Sequence, residues 1–71
     1  MKHTRLILDK MSDLVDEMLM IEHSIQNWDD TIKKIGSNFP ELVIKWKGNI
    51  YDLQNDFKCL EYQYRKLKEV L

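Results

Sequence analysis

Alanine is entirely absent from this chain of 71 residues, an unusual omission for a sequence that reads as helical. Cysteine occurs once, at Cys59, which excludes an intrachain disulfide and a cysteine-rich zinc cluster. A single unpaired thiol suits a reducing, intracellular compartment. No apolar run approaches the roughly 20 residues that cross a bilayer. The amino-terminal stretch MKHTRLILDK offers only the triplet Leu6-Ile7-Leu8 before Asp9, too short for the apolar core of a signal peptide. The expectation is a soluble protein of the cytoplasm or nucleus. An excess of one charge is missing too: 11 Lys and Arg stand against 12 Asp and Glu, for a net charge of −1. Composition alone therefore gives no reason to expect a nucleic-acid partner.

The chain is short enough to be one domain, residues 1–71. A fold of this size buries about 60% of its unfolded surface and is marginal unless something staples it. With neither disulfide nor metal cluster available, oligomerisation is the remaining way to complete a core.

What is present is apolar periodicity. Ile7, Met11, Leu14, Met18, Ile21, Ile25, Trp28, Ile32 and Ile35 are separated by alternating steps of four and three. This is a heptad pattern with Met11, Met18, Ile25 and Ile32 at a and the others at d. A second series runs through Phe39, Val43, Trp46, Ile50, Leu53, Phe57, Leu60, Tyr64, Leu67 and Leu71 in the same alternation. No charged residue interrupts either seam, so two long helices are expected, over about 4–35 and 39–70.

The two seams do not share a phase. Ile35 is a d position, and an unbroken heptad would place the next d at Leu42 rather than Phe39. Local signals account for the break. Lys33 and Lys34 suit the negative end of a helix macrodipole, and Gly36 suits a left-handed residue just beyond it. Asn38 can cap a new helix, with Pro40 in its first turn and Glu41 completing a capping box. The chain is expected to reverse at residues 36–38, giving an all-α, antiparallel helical hairpin. Reversal sets Ile35 opposite Val43, Trp28 opposite Ile50, Ile21 opposite Phe57 and Ile7 opposite Leu71. Asp29 and Lys47 would flank the seam, while Asp30–Lys34 and Glu61–Arg65 could pair along their helices for about 0.2–0.5 kcal/mol each.

One seam does not account for every apolar side chain. Leu8 and Val15 fall at e, Leu19 at b, and Leu42, Ile44 and Tyr51 lie beside the second seam. Burying a Leu or Val is worth about 1.5–3 kcal/mol, so these six residues mark an expected oligomer interface. Two hairpins packed as a dimeric four-helix bundle would cover them, and so would a different helical partner.

Residues that could carry chemistry are few and poorly placed. Asp9, Asp16, His23 and Asp30 recur every seven residues on the outer f strip, about 10 Å apart, which reads as a solvated ridge. Cys59 sits at an outward c position with no histidine near it in sequence. There is no Gly-rich phosphate loop, nucleophile elbow or Glu-x-x-His pattern. Trp28, Trp46, Met11 and Met18 occur at seam spacing and read as core. No enzymatic activity, metal, cofactor, small-molecule substrate or membrane contact is expected.

The triplet Trp46-Lys47-Gly48 resembles the W-x-G of small secreted helical hairpins of the WXG type. In that family the motif occupies the turn between helices, whereas here it lies inside the second seam. The size and hairpin plan are similar to small self-assembling hairpins of the synaptonemal complex, with Trp28, Pro40 and Cys59 in a helical context. No diagnostic motif carries that second likeness, and neither resemblance assigns the chain.

The function these features suggest is non-enzymatic: a self-associating subunit of an assembly or scaffold. Residues 11–30 contain six acids and no Lys or Arg, while Lys58, Arg65, Lys66 and Lys68 make the end of the second helix basic. Antiparallel packing would set these signs side by side and could select orientation and partner. Two alternatives use the same elements. A four-helix-bundle regulator could bind nucleic acid through those four basic residues, and an inhibitor or immunity-type protein could cap one target.

Overall fold

The computed structural model describes residues 3–71 and contains three elements. Helix α1 spans Thr4–Ile35, a single 3-10 turn spans Gly36–Asn38, and helix α2 spans Pro40–Val70. The helices pack against each other along their length as a hairpin. A continuous helix of this many residues would extend about 105 Å, whereas the molecule measures 57 × 15 × 10 Å. The chain turns back on itself rather than forming a bent rod. No helix among the described residues is long and apolar enough to cross a membrane.

The reversal is confined to two backbone positions. Ile35 (φ −128°, ψ 0°) leaves helical geometry first, and Phe39 (φ −134°, ψ 62°) is the second departure. Phe39 precedes Pro40, whose ring clashes with a preceding residue in α conformation, so the new helix starts at the proline. Between them the 3-10 turn satisfies its own backbone: the Gly36 N–H donates to Ile32 O, and the Phe39 N–H donates to Gly36 O at 3.1 Å. The Phe39 carbonyl then accepts the first α2 hydrogen bond from the Val43 N–H at 3.0 Å.

Two local expectations are corrected here. Gly36 is right-handed, at φ −59° and ψ −35°, and no described residue has a positive φ. Its lack of a side chain matters for space instead. A Cβ at this position would stand 3.0 Å from Val43 Cγ2 and 3.3 Å from Ile32 Cγ2. Asn38 does not cap α2 either, because it belongs to the 3-10 turn and Phe39 occupies the capping position without a side-chain hydrogen bond. Glu41 remains in the first turn, where a carboxylate complements the positive end of the macrodipole.

The seam is real but thin. Met11 and Leu14 are buried, Leu14 to 1% exposure, and no residue of α2 is fully buried. Ile7, Met18, Ile21, Ile25, Trp28 and Ile32 are half-buried, as are Val43, Trp46, Ile50, Leu53, Phe57, Leu60, Tyr64 and Leu67. Ile35, the last residue of α1, where the backbone departs from helical geometry, is 40% exposed and falls outside this group. Phe39 and Leu71 are also exposed, at the two ends of the second series. The indole rings of Trp28 and Trp46 meet with centroids 6.1 Å apart and planes tilted by 32°. Such a pair adds about 0.5–1.5 kcal/mol beyond the area it buries.

The two glycines should respond oppositely to the same substitution. Overpacking a close contact costs about 1–3 kcal/mol and exceeds the roughly 1 kcal/mol that alanine gains over glycine in helical backbone. Gly36→Ala is therefore expected to lower stability by about 1 kcal/mol. A Cβ added at Gly48 would meet no heavy atom within 4 Å, so Gly48→Ala should raise stability by about 0.5–1 kcal/mol. Urea denaturation midpoints measure both; a stabilised Gly36→Ala variant would show that the turn tolerates a methyl group.

Candidate protein interface

Along one side of the seam the helices leave a groove. Glu22, Ile25, Gln54, Phe57, Lys58 and Glu61 line it, with apolar side chains from both helices between polar ones. Glu22 and Glu61 are e positions of their respective heptads, and antiparallel packing brings the two e strips to the same side.

That groove locates the apolar residues left outside the seam. Leu8 and Val15 precede Glu22 by fourteen and seven residues, so they continue its strip toward the start of α1. Ile44 and Tyr51 precede Lys58 by the same intervals and continue its strip toward the turn. Leu19 lies one helical turn before Glu22. All five side chains are exposed, Ile44 to 76%. They therefore share one broad face with the groove, Leu8, Val15 and Leu19 on α1 and Ile44 and Tyr51 on α2. Leu42 is exposed as well but lies at g, on the opposite flank, where it lines a shallow depression with Asn38, Phe39, Pro40 and Glu41.

The heptad pattern names those apolar residues but not the groove that unites them. The e positions are legible in each heptad, but the two strips share a side only once the antiparallel pairing is made. Leu6, Met20, Tyr62 and Val70 are further exposed apolar residues that the seam pattern does not single out. Met20 joins Leu19, His23 and Ser24 in a shallow hollow on α1.

The charges are distributed differently from expectation. Among the described residues, two ion pairs form, both within α2: Arg65 Nη2 to Glu61 Oε1 at 2.8 Å and Lys66 Nζ to Glu69 Oε2 at 3.8 Å. The Glu61–Arg65 pair is the one the spacing predicts. Asp30–Lys34 and Asp29–Lys47 do not pair, and no ion pair links the acidic stretch of α1 to the basic end of α2. An exposed pair gains about 0–1 kcal/mol, so neither the presence nor the absence of one changes stability much. Lys66 also places its ammonium 5.4 Å from the centre of the Tyr62 ring. Two of the four basic residues offered for nucleic acid, Arg65 and Lys66, thus already have carboxylate partners.

Asp9, Asp16, His23 and Asp30 are all exposed, as is Cys59. Among the described residues no group of three or more His, Cys, Asp or Glu is gathered closely enough to hold a metal ion. No protein-family model, curated protein or solved structure matches the chain.

If the f strip is only a solvated ridge, combining Asp9→Ala, Asp16→Ala and His23→Ala should leave helicity unchanged. The melting temperature should move by no more than the equivalent of about 0.5 kcal/mol per site. Circular dichroism with and without added divalent cations checks this; a cation-dependent melting temperature lost in the triple variant would refute it.

Proposed function

We propose that this protein is a non-enzymatic assembly subunit that associates with itself, as two hairpins forming a four-helix bundle. The observation that carries the reading is the single face on which Leu8, Val15, Leu19, Ile44 and Tyr51 stand exposed beside the Ile25–Phe57 groove. Association would complete a core that one hairpin leaves open, and the charged outer surfaces would select what the assembly binds. An intracellular setting fits, where Cys59 remains a thiol.

Surface area supports the same conclusion. A compact monomer of this mass exposes about 4,700 Å², whereas this chain exposes 5913 Å². The radius of gyration, 16.4 Å, likewise exceeds the roughly 11 Å of a compact 71-residue domain. The excess area, about 1,200 Å² per chain, is ample for the standard interface of roughly 800 Å² per partner. Energetically the face must act as a set. Association costs about 4–15 kcal/mol in lost freedom, while one fully buried Leu or Val returns about 1.5–3 kcal/mol.

Light scattering after size exclusion should give about twice the 8.6 kDa chain mass, or four times if bundles stack. Val15→Glu places a charge on the proposed contact, and its loss of affinity should exceed tenfold, about 1.4 kcal/mol. Asp16→Lys, on the outward neighbour, should change affinity much less. A folded monomer at micromolar concentration would overturn the proposal.

A further inference from the structure

We infer that the occupant of this face is a second copy whose turn lies at the same end of the bundle, so that each α1 runs along the partner's α2. The inference rests on the self-association proposed above and adds its geometry. Two hairpins can bring the same face together about a two-fold axis in two ways. With the axis along the hairpins, the turns coincide and α1 meets the partner's α2. With the axis across them, the turns point apart and each helix meets its own counterpart.

Charge separates the two. Helix α1 carries seven acids against four bases, while α2 carries five acids against six bases. Packed helices lie about 8–10 Å apart, comparable with the screening length in physiological salt, so these fields are felt across the contact. The turns-apart arrangement lays the acidic residues 11–30 of one α1 over nearly the same stretch of the other, with Glu22 and Asp29 of each copy on the contact face. It also sets Lys33 level with the partner's Arg5.

The turns-together arrangement avoids that repulsion and supplies opposite charges on the contact face itself. Levels follow from the turn at residues 36–39: Glu22 comes within about two residues, or 3 Å along the axis, of the partner's Lys58. Asp29 approaches the partner's Lys47 equally closely. Among the described residues none of these four side chains has an ion-pair partner within its own chain, so all can engage a second copy. In the turns-together dimer, Leu8 lies within about two residues of the level of the partner's Lys68, and Val15 within about two of the partner's Arg65, whose aliphatic stems can cover them while their charges reach water.

The test is the distance between identical spin labels on two copies of the full chain, in a Cys59→Ser background. One label is placed at the turn by Ser37→Cys, and a second, separate variant carries it at the opposite end by Val70→Cys; both positions are exposed. Turns together predicts that both variants give distances within about 25 Å, the width of a four-helix bundle. Distances of about 50 Å at both positions, close to the 57 Å length of the hairpin, would overturn the arrangement while leaving self-association intact. Absence of any dipolar coupling, with a monomer mass by light scattering, would overturn both.

Discussion

Two helices laid side by side touch along a line, and a line has no interior. Every feature of this hairpin follows from that geometric limit. A seam residue at a or d has one neighbouring helix to pack against, so it loses part of its exposure and no more. Leu14 and Met11 are the exceptions. Elsewhere the same apolar pattern that drives the pairing leaves much of each side chain exposed. The fold is complete as a path of the chain and incomplete as a core.

The limit also gives the turn its importance. With only one contact surface, the register of the two helices is held mainly where they join. Three residues of 3-10 helix between the non-helical Ile35 and Phe39 accomplish the reversal, and the proline after Phe39 decides where α2 begins. Gly36 lets that join be tight, since Val43 and Ile32 occupy the space a side chain would need. The register so established brings Trp28 to Trp46 and opens the groove between Ile25 and Phe57 on one flank.

Electrostatics contributes little inside the chain. Both ion pairs are local to α2 and exposed, where their contribution is a fraction of a kcal/mol. The acids of α1 form no ion pairs among the described residues. In the proposed dimer, apolar area would supply the drive to associate and charge would select among the ways of doing so.

The sequence by itself determined the helices, because a heptad repeat is a property of one helix and is written in consecutive residues. It also located the break, since the phase shift between Ile35 and Phe39 is visible without coordinates. It identified Leu8, Val15, Leu19, Leu42, Ile44 and Tyr51 as surplus to the seam, of which Leu42 lies on the flank opposite the groove. Relations across space were another matter. Local signals favour a left-handed Gly36, whose role is instead to admit Val43. They favour Asn38 as a cap, but the proline displaces the helix start by one residue. The expected Asp30–Lys34 pair depends on rotamers for which solvent competes. That the surplus apolar residues other than Leu42 share one face with the groove was decided only by the tertiary structure, because a side of a hairpin exists only once two helices have been set against each other.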